Sequence, residues 1–269
     1  MQLGVQTYTV RKTLAGGRSL VSVFATMRAL GASCLELAVD YLPLPFNPLT
    51  AHTVRVAAET AGITVPSIQI KLRTAAEDPE GTAEYMRVLG AKLLVSSVVD
   101  LKPARALDKA GGIVDAVGYA KELEALRLSM EPYGIAVAHH NHHYEFLRPE
   151  ALGGQTVFAY LAEHTEASFA VDTYWTQRGG GNILVLLEAY KNRICSLHLR
   201  DCRLLPADLA LRPLRDGTPG SGTLPFPQIL QAAEAAGVPY GFLECNAKKP
   251  VKAVQEGLAY LQSALYTQQ

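Results

Sequence analysis

Residues 28–37 read RALGASCLEL. A stretch that alternates at helical spacing stops at Gly31, and an apolar run follows within three residues. The same change recurs at ETAGITVPSI (59–68), RVLGAKLLVS (87–96), EPYGIAVAHH (131–140) and EAAGVPYGFLE (234–244). Glycine directly after a helix serves as a left-handed cap, because it has no Cβ to clash. The runs that follow are apolar on both faces, as strands of a covered parallel sheet must be.

Working outward from these five places, the pattern predicts strands near 3–9, 33–38, 63–70, 92–98, 135–141, 167–172, 194–200 and 239–245. Helices fit between them near 19–30, 50–61, 79–89, 110–132, 154–164, 181–191, 226–236 and 251–266. No Ser/Gly/Pro-rich linker divides the units, so 1–269 reads as one domain. Eight strand–helix units predict a (β/α)8 TIM barrel in the α/β class. The rival, an open doubly wound sheet, calls for a glycine-rich phosphate turn after its first strand. Here that turn reads YTVRKTLAGG, with its glycines late and without GxGxxG spacing. Segment 203–224 reads as a long irregular loop, a place where function often resides.

Composition narrows the function. Hydrophobic residues make up 49% of the chain, and 25 Lys and Arg balance 25 Asp and Glu, so the charge count does not indicate a nucleic-acid or anionic-membrane partner. No apolar run reaches the roughly 18 residues of a membrane span, and MQLGVQTYTVRKT lacks the layout of a signal peptide. The four cysteines (Cys34, Cys195, Cys202, Cys245) form no CxxC pair, so neither a zinc knuckle nor a disulfide framework is expected. A reducing cytoplasm is the default compartment.

A barrel places its chemistry at the C-terminal ends of its strands. Those ends carry Gln6, Tyr8 and Arg11; Glu36; Gln69 and Lys71; the cluster His139, His140, His142 and His143 with Glu145; Asp172 and Trp175; His198 and Asp201; and Glu244 and Asn246. Asp172 in FAVDTYW, His198 in SLHLRD and Glu244 in GFLECN interrupt otherwise apolar strands. Singly, each has a plain reading: a helix cap, a core histidine with a satisfied hydrogen bond, a solvated acid. Together, two carboxylates and an imidazole at one barrel mouth make a divalent-metal site with positions open for substrate and water. The cysteines read as core, and Lys71 as a charge at the mouth that can contact substrate anions.

These residues stand in motifs that resemble the sugar phosphate isomerase/epimerase group of the xylose isomerase-like barrel superfamily. The motifs run in order along nearly the whole chain: GVQTYTVR, CLELA, HHNHHYEF, VDTYWTQRGG, SLHLRD, PGSGTLPF and FLECN. The resemblance implies one divalent ion, most often manganese, with zinc, cobalt or magnesium as alternatives. It matches Asp172, His198 and Glu244 to ligand positions. For the fourth ligand it points first to Glu145, with His140 or His142 as the alternative. It casts Trp175 as a wall of the substrate site and Glu36 as an acid near the metal. Asn246, Gln69, Lys71 and GSG in the 203–224 loop depart from the pattern of relatives and leave the substrate open.

The expected reaction is proton abstraction beside the carbonyl of a sugar or cyclitol, through an enediolate. Glu244 and Glu145 are the candidate acid–base pair. His142 is a proton donor or acceptor to a substrate oxygen. Gln6, Tyr8, Glu36, His140, Trp175 and Asp201 are candidate substrate contacts. A dehydratase of a keto-inositol-like substrate needs the same metal and base, and a non-catalytic sugar-binding barrel needs neither. A three-metal nuclease on this fold needs more ligands than strands three and four supply. Apolar-rich helices leave room for a homodimer.

Overall fold

The computed structural model describes residues 1–97, 116–204 and 214–266. Eight parallel strands close into a barrel: β1 (Gln2–Gln6), β2 (Cys34–Ala38), β3 (Thr64–Gln69), β4 (Leu93–Ser97), β5 (Ala136–His140), β6 (Ser168–Asp172), β7 (Ile194–Leu199) and β10 (Tyr240–Leu243). They follow one another around the barrel in chain order, and β10 closes on β1 through the register Gln2↔Tyr240 to Val5↔Leu243. The helices Leu20–Ala29, Pro48–Ala61, Pro79–Leu89, Ala116–Met130, Val157–His164, Ile183–Ala189, Phe226–Ala235 and Pro250–Tyr266 form the outer ring. The single (β/α)8 barrel expected from the sequence is the observed fold. The first residues of the helix expected over 110–132 lie outside the described residues.

The capping glycines behave as their position predicts. Gly62 has φ +68°, and its N–H returns to the carbonyls of Ala58 and Glu59, ending the helix and aiming the chain into β3. Gly31, Gly90, Gly134 and Gly237 share the positive φ. Most of the apolar core lies between strands and helices, from Leu35 and Leu37 to Phe158 and Phe169. A smaller cluster of Leu93, Val95, Ala138 and Ala170 fills the inside of the barrel. Gly4 lets β1 approach its neighbours there: a Cβ would lie 2.5 Å from the Cys34 carbonyl oxygen and 2.9 Å from Phe242.

Two expectations change. Strand one, expected over 3–9, ends at Gln6, because the Gln6 side chain accepts from the Tyr8 N–H and starts a 3-10 turn over Thr7–Val10. The turn carries Tyr8 up to the mouth. The segment 203–224, expected to be irregular, is bounded by an antiparallel ribbon, β8 (Asp201–Arg203) with β9 (Arg215–Gly217). Residues 205–213 lie outside the described residues. No helix among the described residues is long and apolar enough to cross a membrane.

Candidate metal centre at the barrel mouth

The histidine-rich end of β5 divides by strand alternation. His139 faces the helices: its Nδ1 lies 2.8 Å from the Tyr119 hydroxyl and its Nε2 3.2 Å from Glu145 Oε1. His140 faces the barrel axis, its ring 4.3 Å from that of His198. Asn141 ties β5 to β6, accepting from the Asp172 N–H at 3.0 Å and donating to Thr176 Oγ1 at 3.3 Å. The loop then turns back, and Glu145 Oε2 accepts from the His142 N–H at 2.9 Å. His142 and His143 pack on Trp175, with ring centroids 5.2 and 5.3 Å away, and His142 and Trp175 make one wall of a cleft.

Strand register brings the buried acids together. Asp172 and His198 stand opposite each other on β6 and β7, and Glu244 follows β10 with its N–H on the Leu199 carbonyl. His140, Asp172, His198 and Glu244 are all buried, and each offers a ligand atom within 4.8 Å of the others. The His198 Nδ1 lies 2.9 Å from Glu244 Oε2. On its other edge Nε2 lies 2.7 Å from Glu36 Oε1, close but off the line of a hydrogen bond. Glu36 Oε2 accepts from Ser67 Oγ at 2.6 Å. Asp172 Oδ1 caps the helix Thr173–Arg178 through the Trp175 N–H at 2.7 Å, while Oδ2 faces Arg200 at 3.5 Å. The helix cap therefore uses Oδ1 and leaves Oδ2 without a backbone hydrogen bond among the described residues.

This donor set suits a divalent ion. Glu36, Asp172 and Glu244 converge in a buried space, with Asp216 at its edge; among the described residues Arg200 faces Asp172, Asp216 and Glu244, and Glu36 faces the imidazole of His198. Such an acid surplus is costly away from water unless a cation offsets it. The His140 Nδ1 has no hydrogen-bond partner. Two imidazoles with two carboxylates fit manganese, zinc or a similar metal.

The electrostatics carry the same strain. Burial pushes the Asp172 carboxyl up to about 7, with Arg200 opposing and Glu244 adding. Burial also works against ionisation of Glu244, but Arg200 and then the His198 hydrogen bond outweigh it and hold the group down at about 2. Burial lowers His198, but the nearby charge of Glu36 and then the hydrogen bond with Glu244 outweigh it and raise the group to about 10. Burial lowers His142 to about 4 against the pull of Glu145, and drives His140 well below its ordinary value, with His198 and His142 adding.

A cleft of about 210 Å³ opens above the group, with Tyr8, His140, His142, Trp175 and Glu244 among its walls. Other residues singled out from the sequence lie elsewhere. Glu145 is fully buried, with both oxygens engaged by His139 and the His142 backbone. Gln6 lies beneath the cleft, bonded to Gln69 and to the Tyr8 N–H. Glu36 lies below His198 and is fully buried. Asp201 accepts from four backbone N–H groups, those of Cys202, Gly220, Gly222 and Leu224, and so organises the PGSGTL turn. Sequence reading passed over Arg200, although an arginine between a strand histidine and an aspartate in SLHLRD was a visible anomaly.

A family model described as xylose isomerase-like TIM barrel matches residues 24–264. The chain belongs to this family. Among solved structures, this xylose isomerase-like barrel is similar to a sugar phosphate isomerase/epimerase from Parabacteroides distasonis, with 19% identity, a TM-score of 0.76, and coverage of 98% of this chain and 94% of that one. A 3-keto-D-glucoside 4-epimerase from E. coli matches with 17% identity, a TM-score of 0.67, and coverage of 98% and 99%. A probable 3-DHS dehydratase from Bacillus anthracis matches with 10% identity, a TM-score of 0.70, and coverage of 97% and 99%. At these identities the likeness is one of fold. No curated protein matches the sequence significantly.

Proposed function

We propose that this barrel is a divalent-metal-dependent isomerase or epimerase of a keto-sugar or cyclitol, working by proton abstraction next to a carbonyl. The observation that carries the reading is the buried group His140, Asp172, His198 and Glu244 at the floor of the cleft. These four hold the ion, with His140 in the place first given to Glu145. When bound, a divalent ion polarises the carbonyl beside which the proton is lost.

The residues supply the rest. Glu244, on the cleft floor, takes the carbon-bound proton on its carboxylate. His142, kept neutral by burial, exchanges a proton with a substrate oxygen through an imidazole whose Nδ1 is unpartnered. Trp175 and Tyr8 present ring faces to sugar C–H groups. Glu36 holds His198 from below, and Glu145 holds the His142 loop. The 3-keto-glucoside epimerase and the isomerase/epimerase among similar structures support this class. The dehydratase among them supports a second outcome, in which the same enediolate expels a β-hydroxyl.

The test is elemental analysis of purified protein beside an Asp172→Ala, His198→Ala variant, followed by proton–deuterium exchange on a panel of ketoses and keto-cyclitols. About one manganese or zinc per chain, lost in the variant, with exchange abolished in Glu244→Gln, is the expected result. Metal-free protein after dialysis against manganese overturns the reading.

A further inference from the structure

Arg200 lies between β7 and β8 and is 3% exposed. Its backbone is fixed by an N–H bond to Thr173 Oγ1 at 2.9 Å. Its Nε donates to Asp216 Oδ1 on β9 at 3.1 Å. Its Nη1 donates to Glu244 Oε1 at 2.9 Å and lies 3.5 Å from Asp172 Oδ2. The guanidinium lies over Tyr174 and Trp175, 5.2 and 5.3 Å from their ring centres. Its Nη2 makes no hydrogen bond to the described residues, although the side chain lines the cleft. A guanidinium has five N–H donors in a rigid fork. Here one tine is committed to the acids and the other is free beside the place where substrate must lie.

We propose that Arg200 is a catalytic residue, whose Nη2 donates to the substrate oxygen that turns negative as the proton leaves. The inference rests on the proton-abstraction reading above. In that step Glu244 takes the proton, the C–H electron pair becomes a C=C bond, and the carbonyl π pair moves onto the oxygen facing Arg200. No further reactant is needed. A cation already held by Asp216, Glu244 and two aromatic rings does not reorganise when that charge forms, which is the condition for strong transition-state stabilisation. The arrangement also separates two roles within one side chain: Nη1 keeps Glu244 ionised and placed, and Nη2 reads the substrate.

The test uses Arg200→Lys, which keeps a cation for Glu244 and removes the second tine, with Arg200→Met beside it. The probes are Mn²⁺ alone and glycolohydroxamate, a small enediolate mimic, each titrated calorimetrically into the full chain, with the mimic measured in both the presence and absence of Mn²⁺. Arg200→Lys is expected to bind Mn²⁺ much as the parent does and glycolohydroxamate about 30-fold more weakly, the loss of one charged hydrogen bond. Equal binding of the mimic by parent and Arg200→Lys overturns the proposal, and so does a loss of the mimic matched by an equal loss of Mn²⁺. A parent that binds no Mn²⁺ overturns the metal-dependent reading instead. Arg200 is then judged on the metal-free titration, where mimic binding lost in Arg200→Lys upholds it and absence of binding overturns it.

Discussion

His198 stands between two glutamates, with Glu244 Oε2 2.9 Å from its Nδ1 and Glu36 Oε1 2.7 Å from its Nε2. Glu244 belongs to the proposed ligand group and Glu36 does not. The imidazole thus has one edge toward the cleft and one toward the barrel interior. An acid behind a ligating histidine fixes its tautomer and raises its basicity, and losing one typically costs about 10–100-fold in metal affinity. Glu36→Gln is expected to lose Mn²⁺ affinity in that range while remaining folded, as measured by competition with a chelator. Unchanged affinity would remove Glu36 from any metal role.

Metal uptake should release protons. In the metal-free protein His198 is raised to about 10 and Asp172 to about 7, so near neutral pH the first is protonated and the second partly so. A metal ligand must shed its proton. Because both values are raised, the metal-free state binds more protons than the loaded state, and affinity must strengthen as pH rises. Mn²⁺ titrations in buffers of different ionisation enthalpy should show net proton release at pH 7, and the dissociation constant should fall between pH 6 and pH 8. A pH-independent constant with no proton release would mean that these two groups do not take the ion.

The barrel was legible because its signal repeats: five helix-ending glycines, each before an apolar run, set the period of the chain. The convergence of Asp172, His198 and Glu244 followed from strand ends alone. Which neighbour joins them was not legible. In HHNHHYEF the alternation of β5 sends His139 outward and His140 inward, and only the strand's register tells one from the other. Glu145, a residue type that favours ligation, is drawn away by His139, whose partner Tyr119 sits on a helix about twenty residues earlier. Arg200 was missed for a related reason, since its three acidic partners come from β6, β9 and the end of β10.

Asp201 closes a turn, and its removal should be felt as instability. Its two oxygens accept from the N–H groups of Cys202, Gly220, Gly222 and Leu224. Gly222 fits against it so closely that a Cβ would lie 2.5 Å from Asp201 Oδ1 and 2.1 Å from the Cys202 carbonyl oxygen. Deleting the carboxylate leaves several part-buried donors unmatched, at about 1–3 kcal/mol each. Asp201→Ala is expected to lose at least about 3 kcal/mol in urea unfolding, and Asp201→Asn less, because an amide oxygen still accepts. Wild-type stability in Asp201→Ala, with only the substrate KM raised, would restore Asp201 as a substrate contact.

The fourth ligand separates two chemistries. If His140 holds the ion, the set is two nitrogens and two carboxylates; if Glu145 does, it is one nitrogen and three carboxylates, which favours harder cations. For Glu145 to reach the group it must leave both His139 and the His142 N–H, stranding a buried imidazole and a backbone donor. His140 needs no such movement, and its Nδ1 is already unpartnered. His140→Ala is therefore expected to weaken Mn²⁺ binding by about 100-fold or more, the loss of a direct ligand exceeding that of an outer partner. Glu145→Gln should bind Mn²⁺ nearly as the parent does while its melting temperature falls, because the amide can still accept from the His142 N–H but loses the charge facing His139. The reverse pattern, affinity lost in Glu145→Gln and kept in His140→Ala, would return the fourth position to Glu145 and require the loop after β5 to rearrange when metal binds.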